Sequence, residues 1–241
     1  MKYLPTFLKS RNLWLGFLIV LLIGCEVTEP ILNPDYTGQK GQITDVQGNV
    51  YKTIGIGSQI WMAENLKTTK LNDGTIIPNV TADTNWTWYI TPGYCWYNND
   101  SISFRNTYGP LYNCYAVSTG LLCPTGWHVP DKSEWETLAK FLGGTDVAGG
   151  KLKDYYTSLW NDNLCIVNNY GFAALPGGRK LIRNYKGEFK DMKYGGYWWT
   201  STWKDDFTLY SVSMYHDNTI LNLFESSKRY GYSVRCIKDE N

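Results

Sequence analysis

The sequence predicts an α+β domain of twisted antiparallel sheets, with one or two short helices and long loops. Several segments alternate β-forming residues and are separated by turns that contain glycine or asparagine, which is the pattern of hairpins. One stretch instead repeats apolar residues at helical spacing behind an N-cap signal. Eleven tryptophans and nineteen tyrosines in 241 residues favour an extracellular β-rich protein whose rings serve both core and surface.

The first 24 residues have the features of a bacterial lipoprotein signal peptide. Three basic residues precede residues 13–23, a run that carries no charge and is too short to span a bilayer. Residues 22–25, Leu-Ile-Gly-Cys, then resemble a lipobox, in which the cysteine becomes the acylated N-terminus. We therefore expect residues 1–24 to be removed and Cys25 to anchor the chain through more than one acyl group. The alternatives are an ordinary signal peptide or a cysteine that falls at this position by coincidence.

Residues 25–40 contain proline, asparagine and glycine without periodicity, and we interpret them as a flexible tether. The expected location is the cell envelope, as an outer-membrane lipoprotein. Surface export is often marked by a dense acidic cluster after the lipidated cysteine. Only Glu26 and Glu29 lie there, so the sequence does not assign the protein to one leaflet of the outer membrane. Without the signal peptide the chain has 20 basic and 22 acidic residues. Nucleic acid is therefore not an expected partner, since its binding requires a basic face.

The domain is predicted to span residues 41–241 and to begin with a hairpin. Residues 43–46 and 50–54 alternate β formers around Gln-Gly-Asn at 47–49. A second glycine-containing turn at 55–58 leads into a further strand. The region that follows is rich in tryptophan and tyrosine but has no clear period, so it predicts a long loop.

The clearest local signal lies at residues 122–135. Asp131 is an N-cap, and Glu134 three residues later completes a capping box. Apolar residues then recur at helical spacing: Trp135, Leu138, Ala139 and Leu142. The helix should end at two glycines after about three turns. We expect Trp127, Trp135 and Leu138 to be core residues.

The last third carries the strongest β signal, with strands predicted at 197–202, 207–215, 219–224 and 231–238. The connections at 149–153 and 170–178 are punctuated by glycine. Trp198 and Trp199 should point to opposite faces of their strand, one into the core and the other to the surface or an interface. Exposed rings in residues 197–224 are suited to stack on sugars or pack against a protein. The candidate ligand-binding residues are Trp199, Trp203 and Tyr215.

Five motifs occur in order: residues 61–66, 94–100, 123–130, 175–178 and 233–236. Together they resemble the Fibrobacter succinogenes major paralogous domain, found in exported proteins and lipoproteins of Bacteroidetes and Fibrobacteres. The resemblance covers about residues 41–238. It implies a C-type-lectin-like fold, which is similar to that of the formylglycine-generating enzyme superfamily. Cys114 departs from the family pattern, which usually has tryptophan there.

The resemblance also implies a disulfide between Cys123 and Cys236, because C-type-lectin-like folds commonly join the helix region to the last strand. Cys95, Cys114 and Cys165 then remain, and three thiols cannot all pair with one another. Their spacing neither requires nor excludes a disulfide between Cys114 and Cys165. The alternative is that every thiol is reduced and the cysteines are small apolar core residues.

Three known kinds of site have some of their residues in the sequence, and for each of them part of the required set of residues is missing. The formylglycine-generating oxidases hold copper with a closely spaced cysteine pair, whereas Cys236 stands alone in the last seventy residues. Trp-Asn-Asp at 160–162 matches a calcium-lectin tripeptide, but no proline-flanked oxygen ligands accompany it. Cys123 and His128 are near in sequence, but no orienting acid is evident, so His128 is expected to be a hydrogen-bonded corner residue.

These observations favour a non-catalytic recognition domain on a membrane-anchored lipoprotein, with a glycan or a surface protein as ligand and no cofactor. An enzyme of the formylglycine-generating type is the alternative from another class. A purely structural surface lipoprotein, whose aromatics only fill the core, is the third.

Overall fold

A computed structural model describes residues 35–154, 158–161 and 170–240. The expected signal peptide, the lipidated Cys25 and most of the tether lie outside these residues, as does Cys165. The described strands are β1 (Lys40–Thr44), β2 (Val50–Ile56), β3 (Gln59–Met62), β4 (Tyr94–Cys95), β5 (Leu111–Tyr112), β6 (Trp127–His128), β7 (Gly177–Arg183), β8 (Lys186–Met192), β9 (Gly195–Trp203), β10 (Thr208–Tyr215), β11 (Asn222–Ser227) and β12 (Ile237–Lys238). The described helices are α1 (Asp83–Trp88), α2 (Ser101–Phe104), α3 (Cys114–Val117), α4 (Lys132–Phe141) and α5 (Thr145–Leu152).

The described part is mostly β, with two five-stranded sheets, a two-stranded sheet and short helices. This architecture is consistent with the expected α+β class, although it has five described helices where one or two were expected. The described strands pair with one another antiparallel except β7 and β9, where Gly178 lies parallel to Gly196. Within the described ranges, no helix has the length and apolar character needed to cross a bilayer.

The first sheet has the order β1-β2-β3-β12-β6 and contains the predicted hairpin. Asp45 closes its turn because one carboxylate oxygen accepts the amides of Gln47 and Asn49, at 2.9 and 3.0 Å. The last strand, β12, lies between β3 and β6, so the two ends of the domain meet in one sheet.

The second sheet has the order β11-β10-β9-β7-β8, and its central strand, β9, is buried on both faces from Gly195 to Thr200. Trp198 packs in a cluster with Trp61 and Trp135, whereas Trp199 packs with Tyr112 in another. Both rings are fully buried, so the expectation that one of the two neighbouring tryptophans would lie at the surface or at an interface is wrong. Strand β10 shows the same arrangement, because its serines are buried as well as its apolar residues.

Helix α4 confirms the capping-box prediction. The Asp131 carboxylate accepts the Glu134 amide at 2.8 Å, and the Glu134 carboxylate accepts the Asp131 amide at 2.7 Å. Trp135 and Leu138 are fully buried, as expected. Trp127 is only half-buried and packs against the edge of a core cluster, so its assignment to the core is confirmed only in part. It lies in β6, an edge strand of the first sheet, where one flank has no neighbouring strand.

The glycine-rich segment near residue 150 is a helix, α5, rather than the expected connection. A Cβ added at Gly149 would lie 2.4 Å from the carbonyl oxygen of Ile220. The glycine therefore serves the close approach of this helix to the segment before β11, a contact that local sequence patterns do not reveal.

The disulfide between Cys123 and Cys236 is present, as the resemblance implied, and joins residues 113 positions apart. It links the segment before α4 to the segment before β12, where both cysteines are buried. Cys95 and Cys114 are buried free thiols. The small Cys114 begins α3 and fills a core position.

Candidate functional site

Trp199 is a core residue and not a surface contact for a ligand. Its side chain is fully buried, and its indole N–H donates to the carbonyl oxygen of Tyr112 at 2.8 Å. Its place in the predicted ligand-binding set is therefore corrected. The strand is covered on both faces, which its own sequence does not reveal.

The structure does not bring Trp203 and Tyr215 together. Trp203 lies opposite Leu209 at one end of the β9–β10 ladder, and Tyr215 lies opposite Gly195 at the other end. The Trp203 side chain is 37% exposed, and its indole N–H donates to the Ser118 hydroxyl at 3.1 Å. Tyr215 is half-buried, and its hydroxyl bonds that of Tyr197 at 2.7 Å. The three predicted residues thus do not form one site.

His128 is a hydrogen-bonded corner residue, as expected. Its Nδ1 lies 2.6 Å from the carboxylate of Asp239, and its Nε2 lies 2.8 Å from that of Glu134. The hydrogen bond with Glu134, supported by that with Asp239, raises the pKa of His128 to about 9. Cys123 is taken up by the disulfide, so the Cys–His nucleophilic pair is absent. Sequence reasoning missed both acids as partners of His128, because it used Glu134 only in the capping box and Asp239 comes from the far end of the chain.

The tripeptide at 160–162 does not resemble a lectin site in its described part. Trp160 is buried, and its indole N–H donates to the Ala174 carbonyl oxygen at 3.0 Å. Asp162 lies outside the described residues. Across the described ranges, no three histidine, cysteine, aspartate or glutamate side chains group closely enough to hold a metal ion.

A groove of about 190 Å³ lies elsewhere, beside α1. We call it the aromatic groove. Its described lining residues are Trp86, Thr87, Trp88, Tyr89, Ile90, Asn113, Tyr115, Lys228 and Arg229. Most of them come from three short segments: the end of α1, the start of α3 and the turn after β11.

Buried side chains fix these segments to one another. The indole N–H of Trp86 donates to the Arg229 carbonyl oxygen at 2.9 Å, which ties α1 to the turn after β11. The Asn113 side chain accepts the amides of Gly93 and Ala116, both at 3.0 Å, and so caps α3 and holds the loop between α1 and β4. The groove is thus built on hydrogen-bonded supports, which keep its shape without a ligand.

Two exposed rings stand at the mouth of the groove. Trp88 is 62% exposed, and Tyr185, at the tip of the β7–β8 hairpin, is 56% exposed. Their ring centroids are 5.4 Å apart, with an angle of 19° between the planes, so the rings are stacked. Both keep much of their surface in water, so the stacked pair is available to a ligand.

The groove is positively charged. The guanidinium carbon of Arg229 lies 5.3 Å from the centroid of the Trp88 ring. The Lys228 ammonium lies 5.0 Å from the ring of Phe207, a side chain that is 69% exposed, and donates to the Asp206 carbonyl oxygen at 2.8 Å. Burial raises the pKa of Tyr115, while the positive charge of Arg229 works against that rise. No carboxylate occurs among the described lining residues.

These groups are suited to recognition. Aromatic faces can pack against an apolar surface, and the two cations can pair with an anion. Beneath the lining, burial raises the pKa of Cys114 to about 12, so this thiol is protonated at neutral pH. The described lining residues include no imidazole or carboxylate to act as a general base.

Sequence reasoning missed Trp88, Tyr185 and Arg229. Trp-Thr-Trp at 86–88 is a weak signal, because rings two positions apart on a helix point in different directions and one is left outside. The β7–β8 hairpin carries Asn-Tyr at its tip, in place of the Asn-Gly that marks such turns. Nothing local connects these segments, which lie about a hundred residues apart in the chain.

Comparison with known families agrees with the motifs. The family described as the Fibrobacter succinogenes major domain matches residues 54–238, which is most of the chain. Neither the curated proteins nor the solved structures yield a match. The matched region begins inside β2 and ends at the last residue of β12, so it includes the aromatic groove and the disulfide. The chain belongs to the Fibrobacter succinogenes major domain family.

Proposed function

We propose that this chain is a cell-envelope lipoprotein with a non-catalytic recognition domain that binds a glycan in the aromatic groove. The stacked, exposed pair of Trp88 and Tyr185 carries the proposal. Large rings held in water beside a groove are typical of interaction sites. A sugar ring suits such a pair because its C–H face is apolar and its hydroxyls point outward to polar neighbours.

Glycan-array binding by the mature lipoprotein in detergent tests this proposal. We expect Trp88→Ala and Tyr185→Ala each to weaken retention of the bound glycans by about tenfold or more, because each removes a stacking face. Tyr194→Ala is the matched control, since Tyr194 is 49% exposed and lies outside the groove lining. If both groove variants bind glycans as the parent does, the groove is not the binding site. If the domain retains peptides and no glycans, the ligand is a protein.

Anchoring is part of the same proposal and rests on Cys25. A diacylglycerol thioether and an amide-linked acyl chain together give stable attachment to a membrane. Mass spectrometry of the membrane fraction should find the lipidated cysteine as the N-terminal residue, and Cys25→Ala should release the chain from that fraction. An unmodified peptide that reads through Gly24-Cys25 contradicts lipidation. The leaflet is decided separately, by protease treatment of intact cells.

We also propose that the fold is a variant of the C-type-lectin-like fold. The terminal strand β12 returns between β3 and β6, and the disulfide joins its neighbourhood to the segment before α4. Both features fit the arrangement that the family resemblance implies. A crystal structure superposed on lectins of that fold tests the proposal, and a different strand order through the shared sheet contradicts it.

A further inference from the structure

We propose that the ligand of the aromatic groove is an acidic glycan, a saccharide that carries carboxylate or sulfate groups. This inference rests on the proposed function and adds the charge of the ligand. Four cations line the groove or lie close to Tyr185 in the chain: Arg183, Lys186, Lys228 and Arg229. Two of them line the groove. The other two are paired across the β7–β8 hairpin and flank its tip, next to Tyr185.

Arg229 differs from the paired cations of the domain. Arg179 lies 2.7 Å from Asp191, and Lys204 forms an ion pair with Glu225. Within the part of the chain that the structure describes, the Arg229 guanidinium forms no ion pair or side-chain hydrogen bond and rests instead on the Trp88 ring. The planar guanidinium can pair with a carboxylate or sulfate through two parallel hydrogen bonds. Arg229 thus presents its donors beside the ring on which a sugar would stack.

The acids near the groove do not cancel this charge. Asp83, on the same helix as Trp88, lies 3.2 Å from the buried ammonium of Lys180, which neutralises it. Asp206 offers its backbone carbonyl to Lys228. A carboxylate or sulfate that enters the groove therefore meets a local excess of positive charge, although the chain from Cys25 onward has more acids than bases.

The polar groups among the rings favour a saccharide over an acidic peptide. Tyr89 and Tyr115 line the groove, and Tyr185 stands at its mouth, so three phenolic hydroxyls accompany the apolar ring faces. Each hydroxyl can donate and accept. A saccharide offers the complementary set, with hydroxyls around a ring whose face is apolar and an acid group at its edge.

Two matched probes test the charge of the ligand with the mature lipoprotein in detergent. An array of uronate, sialylated and sulfated glycans is compared with the neutral parents. Oligogalacturonate is then compared with its fully methyl-esterified form, which has the same backbone without the charge. We expect acidic glycans to be retained on the order of tenfold more strongly than their neutral parents, with binding that weakens as sodium chloride is raised.

Charge variants identify the groups responsible. Arg229→Gln and Lys228→Gln should each lower the affinity for the retained acidic glycans on the order of tenfold and leave the thermal midpoint unchanged. Lys140→Gln is the control, because Lys140 is an exposed lysine on α4 outside the groove. If both groove variants bind as the parent does, the inference is wrong.

The outcomes separate this inference from the proposed function. Equal binding of acidic and neutral glycans, lost in Trp88→Ala, overturns the acidic ligand but supports the groove. Retention of no glycan of either kind overturns both. Tighter binding of poly-glutamate or of an oligothymidylate than of any acidic glycan also overturns the inference, because the groove would then recognise negative charge rather than a sugar.

Discussion

At the scale of single residues, Tyr185 lies in an uncommon backbone conformation. Asn184 and Tyr185 have φ angles of 48° and 62° at the tip of the β7–β8 hairpin. Two-residue hairpin turns with two positive φ angles favour Asn-Gly, since a side chain larger than that of asparagine is disfavoured at positive φ. A tyrosine there costs about 1 kcal/mol or more. The stacking of its ring on Trp88 is therefore the reason for a tyrosine at a position where the backbone conformation favours glycine.

Replacement of Tyr185 by glycine separates binding from stability. Tyr185→Gly relieves the positive φ but loses the ring contact, which contributes about 0.5–1.5 kcal/mol. We therefore expect the free energy of unfolding to change by less than about 1 kcal/mol. The affinity for the ligand should fall about tenfold or more. Denaturant titration and a binding isotherm measure the two effects, and a large loss of stability with unchanged binding means that the ring is structural.

His128 makes the stability of the domain depend on pH. Hydrogen bonds with Glu134 and then Asp239 raise its pKa from 6.5 to about 9 in the folded chain. The stabilisation is fully present below about pH 6.5 and is lost as the pH rises through about 9, because only the folded state holds the proton in that window. His128→Gln should flatten the unfolding free energy between these pH values.

The matched control for that measurement is His216→Gln. The His216 ring contacts Tyr194 edge-on at 5.2 Å between centroids instead of bridging two acids. Urea titrations at several pH values should show the parental slope in this variant. A parental slope in His128→Gln as well would show that the two acid contacts do not contribute to stability.

At the scale of elements, α4 is the helix around which one core cluster is organised. Trp135 is fully buried, and its ring centroid lies 4.8 Å from that of Trp61 and 5.8 Å from that of Phe172. Trp135→Ala should lower the free energy of unfolding by about 3–5 kcal/mol, the usual range for loss of a buried large aromatic. Phe141→Ala, on the same helix but 46% exposed, is the control. Equal effects in both variants would contradict the assigned core face.

Helix α1 shows what local patterns do not predict. It has six residues, and its N-cap position, Ala82, makes no side-chain capping bond. Such a short helix is not stable alone, so it depends on its neighbours. The indole hydrogen bond from Trp86 to Arg229 and the ion pair from Asp83 to Lys180 hold it in place. The exposed Trp88 is therefore positioned by tertiary contacts from the second sheet.

At the scale of the whole molecule, the disulfide joins two distant parts of the chain. The loop closed by Cys123 and Cys236 spans 113 positions. Loss of such a bond costs about 2–5 kcal/mol, because the unfolded chain gains freedom. We expect the double variant Cys123→Ala, Cys236→Ala to lose that much unfolding free energy. The reduced parent should match it, and a reduced parent as stable as the oxidised one would contradict this contribution.

The sequence by itself determined the features whose cause is local. The capping box at Asp131 and Glu134 and the hairpin turn after Asp45 involve residues within a few positions of one another, and the structure has both. The family motifs indicated a connection that no local pattern gives, the disulfide between Cys123 and Cys236.

Only the tertiary structure decided which rings are covered and which are free. The alternation of side chains along a strand indicates that Trp198 and Trp199 point to opposite faces. Both are buried, because other segments pack on each face of β9. Likewise, the aromatic groove gathers the side chains of residues 86–90, Asn113, Tyr115 and residues 228–229, with Tyr185 stacked on Trp88 beside them. Whether one face of a strand or helix is buried depends on the segments that pack against it, and those segments come from distant parts of the chain.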